Sequence, residues 1–163
     1  MTGSETKSPG QIVLGWWSHQ IADRQSGKAR ALAARLRHAT AIEALSEPQV
    51  HALAQALNLR DAAPLLRLVT VLARVRDHEN RPLARRLGGD PPAMSAARFQ
   101  RLMRAEGEEL TAALCRALPM AANKCNVAAL GQDLLRWDDT TRARWTFHYF
   151  GAPAPESLEE TSA

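Results

Sequence analysis

Apolar residues return at every third or fourth position along most of this chain, and that period constrains the fold more than any other feature. Leu65, Leu68, Val69, Leu72 and Val75 make the broadest stripe, Val50, Leu53, Ala54 and Leu57 make another, and Leu110, Leu114 and Leu118 repeat at intervals of four. A helix with about 3.6 residues per turn gathers such positions on one face. A half-buried strand needs strict alternation, and no stretch alternates. Ala and Leu dominate, β-branched residues are few and aromatics make up 5% of the chain, which suits helices. Hydrophobic residues make up 45%, enough to bury a core.

Local signals divide this pattern into segments. Pro9 opens a first helix carrying Ile12, Val13, Trp16 and Trp17, and Ser26-Gly27 breaks it. A second helix over about 28–38 puts Leu32 and Leu36 on one face and Arg30 and Arg37 on the other. Ser46 before Glu47-Pro48 reads as a helix start, and Asp61 reads as an N-cap with Pro64 tolerated in the first turn. Ser95, Asn126 and Asp138 read as starts of later helices, and Gly151 and Pro153 end the last one. Gly88-Gly89-Asp90-Pro91-Pro92 is the clearest break and reads as a linker. The expectation is an all-α chain of about eight or nine short helices in two small bundles, over 9–87 and 95–151, with flexible tails at 1–8 and 152–163.

The formal net charge of +4 is uneven. Residues 151–163 hold Glu156, Glu159 and Glu160 and no base, and Glu5 and Lys7 cancel within 1–8, so 9–150 carries +7. Lys occurs only at 7, 28 and 124; the other basic residues are Arg, whose planar fork of donors suits phosphate. Cys115 and Cys125 form no CxxC, so two reduced thiols in a cytoplasmic protein are expected rather than a disulfide or zinc site. The most apolar run, 65–75, is broken by Arg67 and Arg74 and is too short to span a bilayer, so no membrane partner is expected.

Signatures of catalysis are missing. There is no GxxxxGK[ST], no GxGxxG after a strand, no HExxH and no GxSxG. Asp77-His78 is the only adjacent acid–His pair, and neighbours on a helix point about 100° apart, which spoils a dyad. Glu106, Glu108 and Glu109 stand where a helix N-terminus favours acids. No catalytic residue, metal ligand or cofactor is expected.

Basic stripes are more informative. Arg98, Arg101 and Arg104 step by three, each step turning about 60°, so they form a ridge. Arg116 follows on the next helix, Arg142 and Arg144 flank the start of the last, and Arg30 and Arg37 give a second basic face. Such ridges neutralise phosphates and release counterions, with binding that ignores sequence and weakens with salt. The competing expectation is a helical adaptor that binds only protein and keeps these faces in solvent. A helix-turn-helix regulator would need a polar recognition helix and a dimer seam, and no candidate is visible. Trp16, Trp17, Trp137 and Trp145 lie on or beside apolar stripes, which suits packing better than base stacking.

In the C-terminal half, ARFQRLMRAEGEELTAALCRAL is followed by NVAALGQDLLRW and RARWTFHYFG. This order resembles the CasB family, the small subunit of the type I-E CRISPR Cascade complex. Its carriers are Asp133-Leu134-Leu135-Arg136-Trp137 and Arg142-Ala143-Arg144-Trp145 through Tyr149, with a Trp-bearing first helix and ARALAARLRHA in the N-terminal half. The resemblance covers most of 12–151. Residues 39–92 match only by helix pattern, and His38 stands where the family often has a second Arg after Arg37. It implies two helical bundles in a non-catalytic subunit of an antiviral complex. There a second copy of the chain lies head to tail with it against the backbone subunits that hold guide RNA, in company with large and end subunits. It also implies a part in holding the R-loop, where guide RNA pairs with target DNA and the other DNA strand is displaced; sequence reading is left to base pairing. The resemblance carries over Arg98, Arg104 and Arg116 first, then Arg37, Arg142 and Arg144. Arg30 and Arg101 rest on helical geometry alone.

Overall fold

Ser8 starts the first helix. Its hydroxyl accepts from the Gln11 backbone N–H while the Gln11 side chain accepts from the Ser8 N–H, both at 3.2 Å, and Pro9 fits the first turn. The structure, a computed structural model, describes residues 6–158. Of the expected tails, 1–5 and 159–163 lie outside the described residues. The helices are α1 (Pro9–Gln20), α2 (Gly27–His38), α3 (Ala41–Leu45), α4 (Pro48–Leu57), α5 (Ala62–Leu72), α6 (Leu83–Leu87), α7 (Ala96–Arg104), α8 (Gly107–Ala117), α9 (Val127–Leu135) and α10 (Asp139–Tyr149). Side-chain caps at Asp61, Ser95, Asn126 and Asp138 stand where the sequence predicts them. The start expected at Ser46 falls one residue later. Glu47 precedes α4, and Ser46 closes α3, a five-residue helix too short to display a period.

The fold is all-α, with two clusters of helices packed together. The first comprises α1 to α5. The second comprises α6 to α10, since α6 lies against α10 and the 3-10 turn Leu118–Ala121. The clusters meet where α1 lies along α9 and α5 lies between α8 and α9. Buried side chains from Val13 through Leu68, Leu114 and Leu134 to Tyr149 form a single core across that junction. The closest approach needs two glycines. A Cβ on Gly131 of α9 would stand 2.4 Å from Val13 Cγ1, and one on Gly10 of α1 would stand 2.6 Å from the Ala128 carbonyl oxygen.

The break at Gly88–Pro92 is a packed turn. Gly88 is buried, Met94 N–H donates to Leu87 O at 2.9 Å, and the Tyr149 hydroxyl donates to Met94 O. One strand pairing, unseen in the sequence, joins β1 (Asp77–His78) in parallel with β2 (Lys124–Cys125). Two residues per strand are too few to alternate visibly. Asp77 and His78 thus lie on β1, not on a helix. His78 Nδ1 accepts from the Val127 N–H at 3.1 Å, so it caps α9. Past α10, the 3-10 turn Glu156–Leu158 folds back, and Arg144 Nε donates to Leu158 O at 2.9 Å. Among the described residues, no helix is long and apolar enough to cross a membrane.

Candidate nucleic-acid interface

Helix α7 divides sharply into two faces. Phe99 and Leu102 are buried, and Phe99 stacks on Tyr149 of α10 with ring centroids 4.1 Å apart. That stacking turns Arg98, Arg101 and Arg104 outward, where all three are exposed. Rising about 1.5 Å per residue, they span about 9 Å of helix surface. None of the three forms an ion pair among the described residues, so the ridge keeps its full charge.

The other basic residues expected at the interface divide by environment. Arg30 and Arg37 are exposed and, among the described residues, their side chains bond to carbonyls, Arg30 to Arg24 O at 2.6 Å and Arg37 to Ala73 O at 3.2 Å. These bonds fix the guanidinium and leave its charge intact. Arg116 pairs with Glu109 at 3.1 Å on open surface, where solvent screens the pair strongly. Arg142 is half-buried, 3.1 Å from Asp139 and 3.8 Å from Glu106. Arg144 is buried, with Nη1 on Asp133 Oδ1 at 2.7 Å. Its donors hold the fold, so it is withdrawn from the phosphate-binding set.

Three arginines outside that set stand in a cleft between α3, α5 and α8. Arg67 and Arg74 line its main part, about 670 Å³ in volume, together with Ala44, Leu66, Thr70 and Ala112. A smaller adjoining recess shares Arg74 and Cys115 and adds Arg37 and Arg76. The Nε atoms of Arg67 and Arg74 are buried with no hydrogen-bond partner among the described residues. Burial, and then the nearby Arg142 charge, push the Arg67 pKa below its ordinary value. The seven-residue spacing of Arg67 and Arg74 was visible in the sequence. The cleft was not, because α8 lies more than thirty residues further along the chain.

The four tryptophans serve packing. Trp17 and Trp145 are buried, with indole N–H groups donating to Val75 O at 3.2 Å and Asp133 Oδ2 at 2.7 Å. Trp16 donates to Gln49 O at 2.8 Å, and Trp137 meets Trp145 edge to face at 4.9 Å. Burial pushes the Cys125 thiol up to about 12 and raises that of half-buried Cys115, so neither is an activated nucleophile. Among the described residues, no three His, Cys, Asp or Glu side chains gather as a metal site would require.

No curated protein and no solved structure matches the chain. The sequence model of one family, the CRISPR-associated protein Cse2, matches residues 11–150. That span runs from the first turn of α1 to just past α10, so both helix clusters and the basic ridge of α7 lie inside it. The chain therefore belongs to the Cse2 family, also known as CasB, and is a non-catalytic subunit of a CRISPR Cascade complex.

Proposed function

We propose that this subunit stabilises the R-loop by sequence-independent contacts from Arg to phosphate, with α7 as its principal contact surface. The observation that carries the reading is the exposed ridge of Arg98, Arg101 and Arg104, unpaired among the described residues and set on a helix whose opposite face is locked into the core. A locked helix presents its charges without ordering the backbone on binding. Arg30, Arg37 and Arg116 add charge around it, and Arg142 adds a partly neutralised one. The nucleic-acid partners in this reading are guide RNA, target DNA and the displaced strand. The protein partners are a second copy of the chain and the backbone, large and end subunits, and the complex acts in the cytoplasm.

The test is target DNA binding by the complex assembled with Arg98→Glu or Arg104→Glu. Each variant should weaken binding, and the salt slope should fall by about 1 for each lost phosphate contact. The melting temperature of the free subunit should stay unchanged, because neither side chain holds the fold. A specific observation favours a second reading, a protein-only adaptor: Phe150 and Ile42 are exposed to 68% and 74%. Unchanged DNA affinity with intact assembly in both Arg variants would decide for the adaptor.

A further inference from the structure

His78 stands apart from the arginine surfaces, and its ring makes a bond that the proposed function does not call for. It is exposed on β1, and its Nδ1 accepts from the Val127 N–H, the first backbone donor of α9, at 3.1 Å. A backbone N–H can only donate, so Nδ1 carries a lone pair and the ring proton sits on Nε2. A protonated imidazole has a donor at both nitrogens and cannot make this bond. Asn126 already caps the same turn by accepting from the Ala129 N–H at 3.0 Å, so His78 supplies a second cap, and a titratable one. The remaining bonds along this seam run between groups that do not titrate. Backbone N–H groups of Arg76, Glu79 and Asn126 donate to Asn123 O at 2.8 Å, Cys125 O at 2.9 Å and Arg81 O at 2.8 Å.

The groups around the ring do little to welcome a cation. Cys125 lies opposite it in register, and burial pushes that thiol up to about 12, so it stays neutral. Lys124 is the next residue on β2, opposite Asp77. The nearby carboxylates are already engaged: Asp77 with Arg24 at 3.0 Å, and Glu79 with Arg86 at 2.9 Å and Arg81 at 3.1 Å. Helix α9 has no acid in its first turn, and its N-terminus turns the positive end of the helix dipole toward the ring. We infer that His78 is a proton-operated latch on the start of α9. The neutral ring holds the first turn down; protonation removes the bond and sets a cation against a helix N-terminus. Imidazoles take up a proton as pH falls from about 8 to about 5, so the latch is closed above that range and open below it. The held turn lies at the tightest point between the two helix clusters. Val127 is 0% exposed, and the carbonyl of Ala128 is the one a Cβ on Gly10 of α1 would strike. Opening the latch therefore loosens the junction of α9 with α1.

The experiment follows amide hydrogen exchange of the full chain by NMR at about pH 8 and about pH 5. Rates are expressed as protection factors, which removes the intrinsic pH dependence of exchange. Protection of Val127 should fall by at least about tenfold between the two conditions, and that of Gly10 by at least about threefold. Leu68, in the middle of α5, should stay within about twofold. His78→Asn keeps an acceptor at the same place in the side chain but does not titrate, so Val127 protection should hold within about twofold. His78→Ala has no acceptor, and Val127 should exchange fast at both pH values. The ring nitrogens of wild-type His78 should report the Nε2–H tautomer at the higher pH, a readout that needs no variant to fold. Val127 protection that ignores pH in the wild type, an Nδ1–H tautomer at the higher pH, or the same acid loss in His78→Asn overturns the latch. A response at Val127 with none at Gly10 overturns its reach to α1.

Discussion

Asp133 is a buried carboxylate between two donors on the next helix, Arg144 Nη1 and Trp145 Nε1, each at 2.7 Å. Removing it strands a guanidinium away from water, and that cost exceeds the worth of the pair itself. Asp133→Ala should destabilise the protein by about 3–5 kcal/mol, measured by urea unfolding. Double replacement by Asp133→Leu and Arg144→Met should recover much of that loss. Asp138 works differently. It caps α10 by accepting from the Thr141 N–H at 3.0 Å, and that bond holds its carboxyl below the ordinary range, with Arg136 and Arg144 adding to the effect. Its contribution is present above the unfolded value and is lost as pH falls through the lower folded one. The melting-temperature advantage of the wild type over Asp138→Asn should therefore close as pH drops below about 4. These residues also show why the sequence could not sort its arginines. Arg142 and Arg144 stand two apart in one motif, yet only Arg144 is buried. The difference lies in Asp133 on α9, a contact that no local spacing announces.

At the level of single elements, the sequence was most legible where the signal is local. Caps at Ser95, Asn126 and Asp138 and the Arg ridge of α7 depend on residues within a turn or two of each other, and the structure has them. Pairing between elements was not legible, and α1 against α9 is the strongest case, since these helices stand over a hundred residues apart in the chain. Gly10 and Gly131 reveal that contact only once the facing backbone is known. Gly131→Ala would drive a methyl into Val13, a stiff β-branched side chain with 0% exposure and no room to yield. It should cost about 1–3 kcal/mol in a denaturant titration, even after the better helix propensity of Ala. Gly15, on the same α1, is the control, because a Cβ there would meet nothing within 4 Å. There Ala should be neutral or stabilising by up to about 1 kcal/mol. If both substitutions destabilise equally, the close crossing of α1 and α9 is not the cause.

At the scale of the whole molecule, two helix clusters in one chain raise the question of whether they unfold together. Gly88–Pro92 looked like a tether in the sequence because glycine and proline end helices. That composition says nothing about what packs against the turn, and here Leu87, Gly88 and Met94 are all buried. The clusters also share their apolar surfaces. Val13 and Trp17 of α1 and Leu68, Val71 and Leu72 of α5 belong to the same core as Leu114, Leu130 and Leu134 of α8 and α9. Separating the clusters would expose those side chains to water, at about 25 cal/mol for each Å² of apolar surface uncovered. The two clusters should therefore melt as one unit. Scanning calorimetry of the free subunit should show one transition, with calorimetric and van't Hoff enthalpies in agreement. A fragment ending at residue 87 should lack a cooperative transition of its own, because it exposes the α1 and α5 faces that α8 and α9 cover. Two resolved transitions in the full chain would show instead that each cluster carries a sufficient core.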